Sequence, residues 1–286
     1  MPAAFESADS LSTRAQRGAV SLTSLSLILL VLSAVGGVIN YRVRNETIDV
    51  GGLVSLACFT GALFVMLTLA ARRPEREWYL GRAAAESIKT LCWKYSVSGA
   101  PFNADMSDPD GLLVRRIGGT IRGTQLSWVP PTRTDEITQT MRNLRALPLQ
   151  QRIEAYDTGR IGEQLDWYLS KARSNKSRGN LWSGLTALAT LMGVLVGLCR
   201  AFTIVQADVL GIFAAAAAAA SSWGQFRQHM TLATAYSVAS LELGLVRANL
   251  RKVATEDQWA RLVSDSEDAI SREHTLWVAR RGGIEL

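Results

Sequence analysis

Four stretches without one charged side chain, residues 20–39, 52–71, 181–199 and 209–226, constrain this 286-residue chain more than any other feature. A helix rises about 1.5 Å per residue, so about twenty residues match the ~30 Å hydrocarbon core of a bilayer. The chain therefore reads as a membrane protein. LTSLSLILLVLSAVGGVIN, from Leu22 to Asn40, and GGLVSLACFTGALFVMLTLAA, from Gly51 to Ala71, form one hairpin about the polar turn Tyr41–Val50. Leu181–Leu198 and DVLGIFAAAAAAASSWGQF form a second. The Ala214–Ala220 run makes the fourth stretch only mildly hydrophobic, and its alternative is a packed helix shielded by neighbours. Arg14 and Arg17 ahead of the first stretch resemble a secretory leader, but Glu6, Asp9 and a second span soon after favour a retained helix.

Cations near a span stay on the cytoplasmic side. Arg14 and Arg17, then Arg72, Arg73 and Arg76, then Lys171, Arg173, Lys176 and Arg178 all flank spans on one side; only Arg42 and Arg44, beside Glu46 and Asp49, dissent. Both termini and the middle segment are expected in the cytoplasm. With 48% hydrophobic and 20% charged residues, the rest is expected to fold. The net charge of +6 is dispersed among acids, so no nucleic-acid partner is expected. Cys58, Cys92 and Cys199 have no paired spacing, which argues against a disulfide framework.

These features divide the chain into a cytoplasmic leader (1–18), a first transmembrane hairpin (19–72), cytoplasmic helices with a loop (73–158), a helix entering the third span (159–180), a second hairpin (181–225) and a C-terminal part (226–286). From Pro74, the residues Leu80, Ala84, Ile88, Leu91 and Tyr95 share one helix face, which Pro101 and Asp108–Pro109–Asp110–Gly111 end. The loop that follows closes at Pro130–Pro131. Thr134, Ile137, Met141 and Leu144 read as a helix stopped near Pro148, and Ile161, Leu165, Tyr168, Leu169 and Ala172 as a stripe leading into the third span. Leu232, Tyr236, Ala239, Leu243, Val246, Leu250 and Val253 alternate steps of four and three, a coiled-coil seam for which packing within the chain is favoured over pairing between copies. Ser264 and Glu267 have capping-box spacing ahead of a final helix.

Catalytic patterns are missing: no HExxH, CxxC, GxSxG or Walker lysine occurs. Gly118, Gly119 and Gly123 are read as a flexible loop rather than a phosphate cradle, and His229 and His274 lack neighbours at metal-ligand spacing. Glu86 near Lys89, and Glu163 with Asp166 and Lys171, are read as helix-surface ion pairs. No enzyme, metal or cofactor is expected. Within the spans Gly193 and Gly197 have GxxxG spacing, and Gly211, Ala214 and Ala218 give the fourth span a smooth surface, so these five are the candidate span-packing positions. Self-association through them stays open, because small residues are common in membrane helices.

RIGEQLDWYLSKARSNKSRGNLW, ahead of a two-span hairpin, resembles the SLATT family, the two-transmembrane effector domains associated with SMODS and SLOG proteins. Arg160, Gln164, Trp167, Tyr168 and Lys171 carry the resemblance, with Glu273 and Trp277 in the final helix. The N-terminal half resembles a second such unit through Glu86, Ser87, Lys89, Trp93 and Tyr95 in ESIKTLCWKYSVSGAPF. The resemblance implies a bacterial conflict-system effector, in the inner membrane, acting when a partner protein makes or senses a nucleotide signal. For Trp167–Tyr168 and for Trp93 with Tyr95, packing between helices is the stronger reading than a place at the membrane interface.

The expected architecture is an all-α membrane protein of two transmembrane hairpins, four spans in all, with a cytoplasmic helical bundle. Its partners are expected to be the lipid bilayer, further copies of itself in a homo-oligomer, and a nucleotide-synthesising or nucleotide-sensing protein. Three functions compete: a pore-forming or membrane-perturbing effector, a membrane-anchored sensor or scaffold, and a transporter. The last is weakest, since no ionisable group lies mid-span. Reporters fused after residue 286 and near residue 120 are both expected to read as cytoplasmic, and export of either reporter overturns this topology.

Overall fold

The computed structural model describes residues 2–39, 41–43, 48–124, 135–204, 209–250 and 252–282, with side chains to residue 271. It consists of helices α1 (Ala3–Gly36), α2 (Val50–Arg72), α3 (Pro74–Ser96), α4 (Pro109–Gly123), α5 (Gln139–Arg145), α6 (Leu149–Tyr156), α7 (Glu163–Ala201), α8 (Leu210–Arg227), α9 (His229–Leu250) and α10 (Glu256–Gly282). A π-helical turn, Asp157–Gly162, joins α6 to α7. The turn of the first hairpin holds two short antiparallel strands, β1 (Arg42–Val43) and β2 (Ile48–Asp49), with Arg42 opposite Asp49. The chain forms two units: a helical unit of Met1–Arg17, Pro74–Ala172 and Thr234–Leu286, and a span unit of Gly18–Arg73 and Arg173–Ala233.

In the span unit, large aliphatic and aromatic side chains point outward: Leu56, Phe64, Leu188 and Leu198 are all more than half exposed. Such a surface suits hydrocarbon rather than water. Among the described residues, three helical runs are long and apolar enough to cross a membrane: Ala3–Gly36, Val50–Ser96 and Leu149–Ala201. The expected fourth span forms α8, which is not among the three. Its eighteen residues would reach about 27 Å. The alanine run contributes little hydrophobicity per residue, and the last turn carries Gln225 and Arg227. The first hairpin closes through glycine: a Cβ on Gly51 would lie 2.0 Å from the Ile39 carbonyl oxygen and 2.6 Å from that of Gly36. Ser55 Oγ donates to the Ser33 carbonyl at 2.8 Å, and the Asp49 side chain caps α2 by accepting from Gly52 N.

The helical unit has two apolar clusters. In one, Ala84, Ala85, Ile88, Cys92 and Tyr95 of α3 meet Leu113 and Ile117 of α4, with Ile137 and Met141. Ala4 and Ala8 of α1 join them, so the expected leader is a helix whose start belongs to this core. Burial pushes the Cys92 thiol up to about 12, with the Glu136 carboxylate adding to the effect, so this cysteine behaves as a small apolar side chain. In the second cluster Ile153, Tyr156, Ile161 and Tyr168 pack with Ala239, Leu243 and Leu250 of α9 and with Trp259, Val263 and Ile270 of α10.

Several expectations change. Asp108–Gly111 does not end a helix; it starts one, with the Asp108 side chain accepting from Gly111 N and Pro109 in the first turn. Gly118, Gly119 and Gly123 therefore lie in α4 rather than in a loop, held there because Leu113 and Ile117 are buried. The helix around Met141 is capped by Thr138, and a second helix, α6, follows Pro148. Thr134, Pro130 and Pro131 lie outside the described residues. Ser264 and Glu267 do not cap a helix start, because α10 begins at Glu256, where Thr255 Oγ1 accepts from Gln258 N at 3.3 Å. Leu169 faces outward from the α7 stripe. The 232–253 seam packs within the chain: Ala239, Leu243 and Leu250 are buried, with Tyr236, Val246 and Val253 against the same cluster. Leu243→Ala should cost about 3 kcal/mol through the cavity it leaves, measured as a lowered unfolding midpoint in detergent. An unchanged midpoint would place the seam outside the core.

Candidate functional site

Taking a carboxylate out of water costs several kcal/mol unless its lone pairs find donors. Glu267, midway along α10, has no exposed surface, so its partners must compensate. Arg160 supplies two bonds, Nε to Oε1 at 2.8 Å and Nη2 to Oε2 at 2.6 Å. Tyr156 Oη donates to Oε1 at 2.9 Å, and Thr90 Oγ1 to Oε2 at 2.9 Å. Both carboxylate oxygens thus accept two bonds, from three residues on two stretches of chain. Arg160 stands on the π-helical turn, whose wider ring points the guanidinium at α10.

Burial lowers the Arg160 pKa, but the adjoining Glu267 charge overcomes it and the net shift is upward, so the guanidinium stays charged. Burial raises the Tyr156 hydroxyl, with Glu267 adding to the effect, and the phenol remains a donor. Around the pair, Glu86 binds Arg82 one turn earlier at 2.8 Å. Lys89 is lowered by burial, opposed by Glu86 and reinforced by the Arg160 and Arg82 cations. An aromatic file lines the same core: Trp93 meets Tyr156 edge-on at 5.9 Å, and Tyr156 meets Trp259 at 5.6 Å.

Further contacts hold α10 against α3. Lys94 Nζ donates to Asp268 Oδ1 at 2.6 Å and Ser264 Oγ at 3.1 Å. Trp259 Nε1 donates to the Val97 carbonyl at 2.6 Å, and Ala100 N to that of Ala260 at 2.8 Å. Arg152 binds the Val97 and Leu147 carbonyls and pairs with Glu256. A Cβ on Gly99 would lie 2.3 Å from Val263 Cγ1, so the turn after α3 needs glycine to admit α10. At the other end, Tyr95 Oη donates to Asp110 Oδ1 at 2.6 Å, and Arg145 Nη1 holds the Tyr95 and Phe102 carbonyls. Burial and Asp110 push Tyr95 up to about 12, and the Tyr95 bond holds Asp110 below the usual carboxylate range. The Asp110 contribution to stability is therefore present above the ordinary carboxylate pKa and fades as pH falls through the lowered value.

The residues singled out from sequence fall into two groups. Glu86, Lys89, Trp93 and Arg160 converge on this core, and Gln164 is buried on α7. Tyr168 packs with Trp167 and Tyr236, and Lys171 sits 5.7 Å over the Trp167 ring. Trp167 and Tyr168 are thus packing residues, as Trp93 is. Tyr95 belongs to the α4 end, and Ser87 is half-buried beside Glu86. The side chains of Glu273 and Trp277 lie outside the described residues. Among the span-packing positions, Gly193 faces α8, where a Cβ would lie 3.6 Å from Phe213 Cβ. Gly197 and Gly211 face open space, and Ala214 and Ala218 are exposed, so of these five positions only Gly193 packs against the facing helix within the chain. Glu267, Tyr156, Thr90 and Trp259 went unrecognised; the only local sign of Glu267 was its spacing from Ser264, which mimics a cap.

Two family models match the chain. Residues 2–153 match the SMODS and SLOG-associating 2TM effector domain 3, and residues 156–277 match the SMODS and SLOG-associating 2TM effector domain 1. The chain belongs to the SLATT family. No curated protein and no solved structure matches it. Two SLATT domains thus stand in one chain, and the Glu267 cluster joins them: Thr90 and Lys94 belong to the first, and Tyr156, Arg160 and Glu267 to the second. Each SLATT domain is a two-transmembrane effector domain, which supports a membrane effector role. Glu267→Leu alone should cost about 3–5 kcal/mol, by leaving the Arg160 cation buried without a counter-charge, and Arg160→Met beside it should restore most of the loss. A double-mutant cycle on thermal unfolding checks this; additive losses would show that the two groups act independently.

Proposed function

We propose that this SLATT protein is a latent effector of a bacterial conflict system, seated in the inner membrane with both termini in the cytoplasm. In this reading it assembles as a homo-oligomer and permeabilises the membrane when a nucleotide-synthesising or nucleotide-sensing partner acts on the helical unit. The chain itself carries out no reaction; the partner supplies the signal. The observation that carries the reading is the pair of effector-domain matches, with Thr90 of the first bonded to Glu267 of the second.

A helical unit closed by such a pair has the two-state character that a switch requires. Opening exposes a charge pair that water solvates well, so the closed state is held by a finite, ligand-sized free energy. The unit borders fall inside α1, α7 and α9, so three of the four chain passages between the units run within helices. Helices transmit tilt and rotation, and a ligand moves such an equilibrium by its differential affinity for the two states. The outward-facing Gly197, Gly211, Ala214 and Ala218 leave a close-approach surface for a neighbouring copy, which a pore needs.

Expression with the cognate trigger should depolarise cells, and Gly197→Leu should suppress this while the protein still inserts, because no atom of its own chain stands in the way of the new side chain. Membrane potential is read with a voltage-sensitive dye. Full potential under induction, with the trigger confirmed present, would discard the pore and leave a membrane-anchored sensor or scaffold.

A further inference from the structure

The second hairpin gathers its cations at one end. From Arg173 to Ala233 the sequence holds Arg173, Lys176, Arg178, Arg200 and Arg227 against one acid, Asp208. Arg200 stands in the last turn of α7 and Asp208 just ahead of α8 in sequence, so Arg173, Lys176, Arg178 and Arg227 lie at the opposite end, where this segment supplies no carboxylate. Arg178 and Trp182 are one turn apart on α7; Trp223, Phe226 and Arg227 share the last turn of α8. The two helices close on each other here: Trp182 and Trp223 ring centroids are 6.0 Å apart, Trp223 and Phe226 5.7 Å, and the Arg227 guanidinium lies 5.9 Å over Trp223. A Cβ on Gly224 would touch Trp182 Cβ at 3.9 Å, and one on Gly179 would collide with Met230. Just beyond, His229 Nδ1 and Asn175 Oδ1 bond at 2.8 Å.

We propose that this end of the hairpin binds the phosphodiester headgroup of an anionic phospholipid. Arg178 and Arg227, one from each helix, hold the phosphate oxygens, and Trp182, Trp223 and Phe226 lie against the glycerol and first methylenes. Guanidinium forks match phosphate oxygens in geometry as well as charge. Aromatic rings with an apolar body and a polar edge belong at headgroup depth, and this cluster adjoins the third span. A free phosphate would use the cations and leave the three rings without a role, so the arrangement fits a lipid. Lys176 falls on the other flank of α7 and Arg173 on its far side, where they add general attraction to an anionic surface.

Independent support comes from His229, which is lowered by burial and by the neighbouring Arg227 and Arg178 cations. Both guanidiniums therefore act on one imidazole, and a phosphate between them would relieve that repulsion. The proposal needs only that the hairpin lies in a membrane; it stands whether or not a pore forms.

The test uses the full chain in nanodiscs of phosphatidylcholine with a minor share of phosphatidylglycerol, followed by native mass spectrometry of retained lipid. Phosphatidylglycerol should be retained in preference, and Arg178→Gln with Arg227→Gln should reduce the preference by about five-fold per arginine. Arg115→Gln with Arg116→Gln, equal in charge but on α4, should leave it unchanged. The His229 titration, followed by NMR, should move upward in phosphatidylglycerol relative to phosphatidylcholine in the wild type and not in the double variant. Equal losses in both double variants would reduce the effect to net charge and overturn the site. So would displacement of the lipid by inorganic phosphate at constant ionic strength, which would show that phosphate alone is read.

Discussion

A carboxylate with no exposed surface sets the terms for the helical unit. Glu267 can be buried only if donors surround it, and its four hydrogen bonds come from α3, α6 and the π-helical turn. Each donor must therefore be correct at once, which fixes the rotation of α10 about its axis and its register along α3. The apolar contacts of Trp259 and Val263 then fall where Val97 and Gly99 receive them. Such a pair adds less net stability than a good hydrophobic substitute would, but it penalises every misaligned packing heavily.

Much of this was visible in the residues before any fold was known. The apolar stretches marked the spans because their length and lack of charge leave few alternatives, and the 3.5-residue period of residues 232–253 marked a seam that the chain satisfies internally. Helix α4 was hidden because Asp–Pro–Asp–Gly reads equally as a stop and as a start; the deciding fact, burial of Leu113 and Ile117, is tertiary. Glu267 was hidden for a different reason. Its periodic position says only which side of a helix it occupies, and its partner Arg160 is 107 residues away. Arg160, Glu86 and Lys89 were reached through family resemblance, and the structure supplies what resemblance lacked, the charge they share. The alanine run of α8 stays weak in hydropathy in either view, since no packing makes alanine more apolar.

The two units obey opposite rules. In the span unit, small residues and serine hydroxyls close helix against helix while the aliphatic surface turns outward, as in the Ser55–Ser33 bond and the exposed Phe64. In the helical unit, aromatic rings and charge pairs are turned inward. A membrane protein with this division can vary its helical unit without disturbing the surface that lipid solvates.

The order of synthesis gives α10 particular weight. Trp259, Val263, Glu267 and Ile270 follow all four apolar stretches in the chain. When the spans have already been handed to the bilayer, Arg160, Tyr156 and the apolar residues of α9 are still waiting for their counterpart. Up to that moment the nascent protein holds a buried-type arginine that can remain only in water. Closure of the second cluster therefore waits until α10 has been made, and a ribosome that stalls before α10 leaves that cluster open.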